Sequence, residues 1–186
     1  MLNGKTKCVT IQCGIVYLYG GGNVDAFIAK LNAAGNSLLW GTYYGGAGDE
    51  GAGPIALDSH NNIYITGGTS SSSGIATAGA YKMFYGGGTS GDAYIAKFNS
   101  AGSSLLWGTY YGGPDEDVGE GIAVDGCGNS YITGGTYSSS GIATPGAYQS
   151  TYPGWPGSAF VAKFNPTGSA LVWGTYYAGG GKKGCQ

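Results

Sequence analysis

The segment Ser104-Leu-Leu-Trp-Gly-Thr-Tyr-Tyr-Gly-Gly113 occurs three times in this 186-residue chain, and no other feature restricts the fold as much. It returns as Ser37-Leu-Leu-Trp-Gly-Thr-Tyr-Tyr-Gly-Gly46 and as Ala170-Leu-Val-Trp-Gly-Thr-Tyr-Tyr-Ala-Gly179, which places Trp40, Trp107 and Trp173 at spacings of 67 and 66 residues. So regular a period implies a repeat architecture in which each unit is one supersecondary element. Forty glycines and six prolines would suggest disorder in a chain without a period. Here β-branched and aromatic runs lie between them, including many of the sixteen tyrosines, and such residues fit a pleated, half-buried surface.

The last repeat reads as four strands. Gly121-Ile-Ala-Val-Asp125 and Asn129-Ser-Tyr-Ile-Thr-Gly-Gly135 flank a glycine turn. After a long Ser/Gly/Pro-punctuated excursion come Ser158-Ala-Phe-Val-Ala-Lys-Phe-Asn165 and the Trp173 strand. The middle repeat matches it closely, down to its excursion, Gly74-Ile-Ala-Thr-Ala-Gly-Ala-Tyr81 against Gly141-Ile-Ala-Thr-Pro-Gly-Ala-Tyr148. Setting Cys13-Gly14 on Cys127-Gly128 makes residues 7–11 and 15–19 the first two strands of the first repeat, with its excursion shortened. Along Leu38, Trp40, Thr42 and Tyr44 apolar groups alternate with Leu39 and Tyr43, so both faces of each sheet need cover, and stacked sheets supply it. The expected fold class is all-β: three four-stranded antiparallel units of the β-propeller kind at 1–46, 47–113 and 114–179, then a flexible tail at 180–186.

The succession Asp-Ala-Tyr-Ile-Ala-Lys-Phe-Asn, Leu-Leu-Trp-Gly-Thr-Tyr-Tyr-Gly-Gly, Asp-Glu and Gly-Ile-Ala-Val-Asp-x-x-Gly-Asn-x-Tyr-Ile-Thr-Gly resembles the SBBP bacterial β-propeller repeat over roughly residues 23 to 179. The resemblance implies propeller blades of a secreted or surface protein, a family usually without an assigned activity. Ser158 in place of Asp, His60-Asn61 in place of x-Gly and an eroded first hairpin depart from the pattern. Propellers close with four to eight blades, so three leave two faces to be covered, and closure within one chain is not expected. A longer protein, a ring of copies or a head-to-tail filament would each supply the cover. Itself is therefore the expected partner, with Trp40, Trp107, Trp173, Tyr44, Tyr111 and Tyr177 as packing residues.

Chemistry is sparse by comparison. With net charge −2 and 10% charged residues there is no basic stripe for nucleic acid, and no apolar run reaches the length of a membrane span. No signal peptide is read at the N-terminus, while the Gly/Ser/Thr/Tyr-rich composition leans towards an extracellular or cell-surface setting. Cysteine spacing and a single histidine, His60, argue against zinc. Cys13 and Cys127, in equivalent turns of different repeats, are not expected to bridge; Cys185 could meet Cys8 or Cys13 of the next copy.

Acidic links carry Asp49, Glu50, Asp115, Glu116 and Asp117, a candidate calcium set weighed against turn formation. Their recurrence with the repeat favours architecture over a glycosidase pair, and no catalytic constellation or cofactor motif is found. Trp155, Tyr152 and Tyr85, in the excursions, are the candidates for stacking on a glycan. The expected function is a non-enzymatic, self-assembling structural or interaction protein, with glycan binding as the alternative.

Overall fold

The computed structural model describes residues 8–10, 21–87, 91–154 and 157–178, of 8–10 the backbone alone. Among these residues there is no helix, and eleven strands form three antiparallel sheets. The first sheet contains β1 (Cys8–Thr10), β2 (Ala26–Leu31) and β3 (Leu38–Tyr44). In the second, β4 (Glu50–Leu57), β5 (Ile63–Thr69), β6 (Asp92–Phe98) and β7 (Leu105–Tyr111) follow one another as a meander. The third repeats this order with β8 (Asp117–Val124), β9 (Ser130–Thr136), β10 (Ser158–Phe164) and β11 (Leu171–Tyr177). The repeat is thus one meander per period, as the alternation predicts.

Local chemistry sets each turn. At the start of the β4–β5 turn the Asp58 carboxylate accepts the amides of His60 and Asn62, and Asp125 does the same for Cys127 and Asn129 before β9. Asn61 stands at φ 60° where the third sheet has Gly128 at 84°, so asparagine takes over the left-handed position that the glycine usually fills. Lys97 and Lys163 lie over the rings of Tyr64 and Tyr131 and reach the same aspartates, tying β5 to β6 and β9 to β10.

The first repeat differs from its expected register. Cys8 pairs with Lys30, the position that Tyr64 holds opposite Lys97 and Tyr131 opposite Lys163. Cys8-Val9-Thr10 therefore occupies the second-strand place, as the counterpart of Tyr64-Ile65-Thr66. The match on Cys13-Gly14 puts this stretch in first place; the Val-Thr step and the backbone pairing override a turn match of two residues. The expected second strand at 15–19 lies outside the described residues, so this sheet shows three strands and not four.

Among the described residues two clusters form the core, and each spans a boundary between sheets. One joins Tyr44, Ala26 and Ile28 of the first sheet to Ile63, Tyr94 and Phe98 of the second. The other joins Tyr64, Ile95, Trp107 and Tyr111 to Ile132, Phe160 and Phe164 of the third. A sheet apolar on both faces thus buries one face against each neighbour, and most of the hydrophobic stabilisation resides between sheets. The first strands of the second and third sheets, β4 and β8, approach backbone to backbone at Gly53 and Gly119; a Cβ on Gly53 would lie 3.1 Å from the Gly119 carbonyl oxygen.

Candidate assembly surface

Each junction between sheets is built from the same three contacts. The hairpin turn after the third strand of a sheet folds identically everywhere: Gly35, Gly102 and Gly168 donate their amides to the carbonyls of Asn32, Asn99 and Asn165, at φ 71°, 67° and 66°. The Asn99 and Asn165 side chains accept the amides that follow, so asparagine builds the turn and glycine permits its left-handed step. The turn of one sheet then lies on the tryptophan of the sheet before it. A Cβ on Gly102 would stand 2.5 Å from the Trp40 ring, and one on Gly168 would collide with Trp107. Trp107 also donates its Nε1 proton to the Pro166 carbonyl, 3.1 Å away.

The second contact is a tyrosine hydroxyl. Tyr44 donates to the Ile75 carbonyl at 2.7 Å and Tyr111 to the Ile142 carbonyl at 2.8 Å, each reaching into the excursion of the following sheet. Gly108 and Gly174 leave the space for those hydroxyls, 2.6 and 2.8 Å from where a Cβ would stand. Burial holds both tyrosines well above the usual phenol pKa, so they remain donors.

The third contact is acidic. Glu50 and Asp117, at the ends of the links, are fully buried and fasten the link backbone: Glu50 accepts the amide of Gly46 and the hydroxyl of Thr69, Asp117 the amide of Gly113 and the hydroxyl of Ser138. Burial raises the pKa of both, and across each junction a carboxylate of the preceding sheet, Asp25 or Asp92, raises it further. Asp92 is itself buried, pushed up by desolvation, and paired with Lys82 at 2.8 Å. In the third sheet Gln149 and Ser158 stand in the places of Lys82 and Asp92, a joint loss of the ion pair that single departures in the repeat do not reveal.

Of the carboxylates expected to hold calcium, Glu50 and Asp117 turn inward while Asp49 and Asp115 are exposed and Glu116 half-buried. Asp49 accepts the amides of Asn23 and Val24 instead. No group of three or more His, Cys, Asp or Glu among the described residues is arranged to hold a metal ion. Of the cysteines, Cys127 is a free, exposed thiol on the β8–β9 turn; Cys13 and Cys185 lie outside the described residues, as does the Cys8 side chain.

The glycan candidates are also redistributed. Tyr85 packs edge-on against Tyr110 at 6.1 Å and Tyr152 against Tyr176 at 5.7 Å, which makes them covers for their own outer strands. Trp155 lies outside the described residues. The outward aromatics of the excursions are Phe84, 76% exposed, and Tyr148, 86% exposed. Phe84 lies at a bend and turns outward while its neighbour Tyr85 packs on Tyr110, a division that residue type alone does not reveal.

The third sheet is where the pattern is interrupted. Trp107 is 6% exposed and Trp173 36%; Tyr111 is fully buried and Tyr177 63% exposed. Trp173 lines an open groove of about 580 Å³ together with Thr144, Pro145, Tyr148, Val161 and Val172. Val161 corresponds to Ile95, fully buried in the second sheet beneath its neighbour.

Residues 106–142 match the beta-propeller repeat family SBBP. The match runs from β7 through the acidic link and β8 to Ile142, so it contains the junction contacts of Trp107, Tyr111 and Asp117 in a single stretch. No curated protein matches the chain. Among the described residues no helix is long and apolar enough to cross a membrane.

Proposed function

We propose that the chain is a non-enzymatic structural or interaction protein of the cell surface or extracellular space, whose propeller-type blades associate with further copies through open blade faces. The observation that carries this reading is the third sheet, which presents Trp173 and Tyr177 where the second sheet buries Trp107 and Tyr111. Apolar surface laid out in the pattern of an internal junction marks an interaction site. A non-catalytic role is supported by the use made of the buried carboxylates, which fasten links instead of facing a cleft.

Sedimentation of the purified protein from nanomolar to high micromolar concentration tests the proposal, with electron microscopy to separate rings from filaments. A concentration-dependent rise above the 18.7 kDa chain mass is expected. A well-folded monomer throughout that range would refute it. Fractionation of expressing cells with external protease tests the location. Glycan binding is the second reading, favoured by the exposure of Phe84. A glycan array probed with wild type and with Phe84→Ala and Trp155→Ala variants decides it, since unchanged signals or none at all end that idea.

A further inference from the structure

Self-association through open faces, the reading this inference rests on, does not say which face meets which. The repeat supplies two unequal ends. On the third sheet, no turn among the described residues covers Trp173 as turns cover Trp40 and Trp107. On the first sheet, the turn Asn32-Ala33-Ala34-Gly35 is folded as its two counterparts are, yet no described atom lies within 4 Å of where a Cβ on Gly35 would stand. Among the described residues, one end has a tryptophan without a turn, and the other has a turn without a tryptophan. We infer that the Gly35 turn of a second copy seats on Trp173 in the groove of the third sheet, joining copies head to tail.

Internal contacts dictate the details. Between the second and third sheets, Trp107 donates to the carbonyl of Pro166, and the Tyr81 amide donates to the carbonyl of Gly168 at 2.9 Å. Tyr81 also sets its ring edge-on to Phe164 at 5.6 Å. The corresponding groups at the open ends are Trp173 and the Tyr148 amide on one copy, and the carbonyls of Ala33 and Gly35 and the side chain of Leu31 on the other. Groove and turn therefore offer the donors and acceptors that join the second and third sheets, and the seating of the turn on a tryptophan occurs at both junctions within the chain. Trp173 against Trp173 would instead oppose two indole donors and leave every Gly35 turn uncovered.

One internal feature has its counterpart outside the described residues: Tyr111 finds its acceptor at Ile142, in the excursion after the second strand, and the matching stretch of the first repeat falls within residues 11–20. Tyr177 stacks on Tyr148 at 6.5 Å and an interplanar angle of 30°, which keeps both rings beside the groove. A head-to-tail contact is heterologous and generates either a ring or a fibre according to its angle.

Two variants and their mixture test the inference by sedimentation. Gly35→Asn keeps the left-handed step that asparagine tolerates, but its Cβ would meet the indole as a Cβ on Gly102 would meet Trp40. Trp173→Ala removes the other half of the contact; Tyr148→Asp, at an exposed groove residue, replaces it should Trp173→Ala fold poorly. Gly79→Asn, at φ 78° with open space around it, controls for turn strain. Each end variant alone should raise the dissociation constant more than about tenfold, roughly 1.4 kcal/mol, and Gly79→Asn should not. An equimolar mixture of Gly35→Asn and Trp173→Ala should form a complex of one copy each, because each supplies the end the other has lost. Gly35→Asn associating as well as wild type, or a mixture that stays monomeric, overturns the head-to-tail contact while leaving self-association in place. A wild type that is monomeric at every concentration overturns both.

Discussion

Trp107 and Trp173 are the same residue in the same motif, yet they should respond differently to truncation. Trp107 is buried beneath the Gly168 turn, so Trp107→Ala should lower unfolding stability by about 3–5 kcal/mol in denaturant titrations. Trp173→Ala, measured at concentrations where the chain is monomeric, should cost less than half as much. The tyrosines form a matching pair: Tyr111→Phe removes a buried donor from the Ile142 carbonyl and should cost about 1–2 kcal/mol, whereas Tyr177→Phe should fall within about 0.5 kcal/mol of wild type.

Carboxylates divide in the same way. Glu50, Asp92 and Asp117 have pKa values raised by folding, so each favours the folded state when protonated. Their contribution is complete below the unfolded carboxylate value of about 4 and is lost as pH rises through the folded values. Asp58 and Asp125 move the other way. Hydrogen bonds from Asn62, His60 and Lys97 outweigh the desolvation of Asp58, and the Asn129 side chain leads the groups that hold Asp125 at about 2. Their contribution is present above about 4 and lost as pH falls through the folded values. Thermal melting from pH 2 to 8 should therefore peak on the acid side, with Tm declining from there towards neutrality and again below about pH 3.

At the scale of elements, the excursions act as covers for exposed edges. The Tyr110 amide bonds the Lys82 carbonyl and the Tyr176 amide that of Gln149, so the outer edges of β7 and β11 are occupied by the chain's own backbone. An uncovered edge is a template for pairing with another chain. Hydrogen exchange should find the Tyr110 and Tyr176 amides protected by more than about a hundredfold, and replacing residues 137–157 with a short link should release Tyr176 and promote aggregation. The acidic links hold by hydrogen bonds from their own amides, so chelation with EDTA should leave Tm unchanged to within about 1 °C. A larger drop would assign a bound cation to the links. The first sheet shows the limit of reading elements from turns, since Cys8-Val9-Thr10 took its place from strand pairing with Lys30-Ala29-Ile28 and not from the cysteine-glycine step.

At the scale of the whole molecule, the described residues form three sheets that bury two junctions and leave Trp173 and Tyr177 partly exposed on the third. Association should consequently strengthen with concentration and with sulfate, which favours apolar burial, and respond weakly to sodium chloride, because the contacts are aromatic and backbone. Light scattering in the two salts checks the distinction.

By itself the sequence determined that the chain is all-β, that its unit is a meander of four strands, and that both faces of each unit require cover. Those properties follow from a period of 67 and 66 residues and an alternation of two, which are local and additive along the chain. Tertiary structure alone decided which members of the identical motifs are covered. Burial of Trp107, exposure of Trp173, the inward turn of Asp117 and the outward turn of Asp115 depend on what lies across a junction. Two residues with the same neighbours in sequence can differ entirely in their neighbours in space, and the free energy of burial is counted in space.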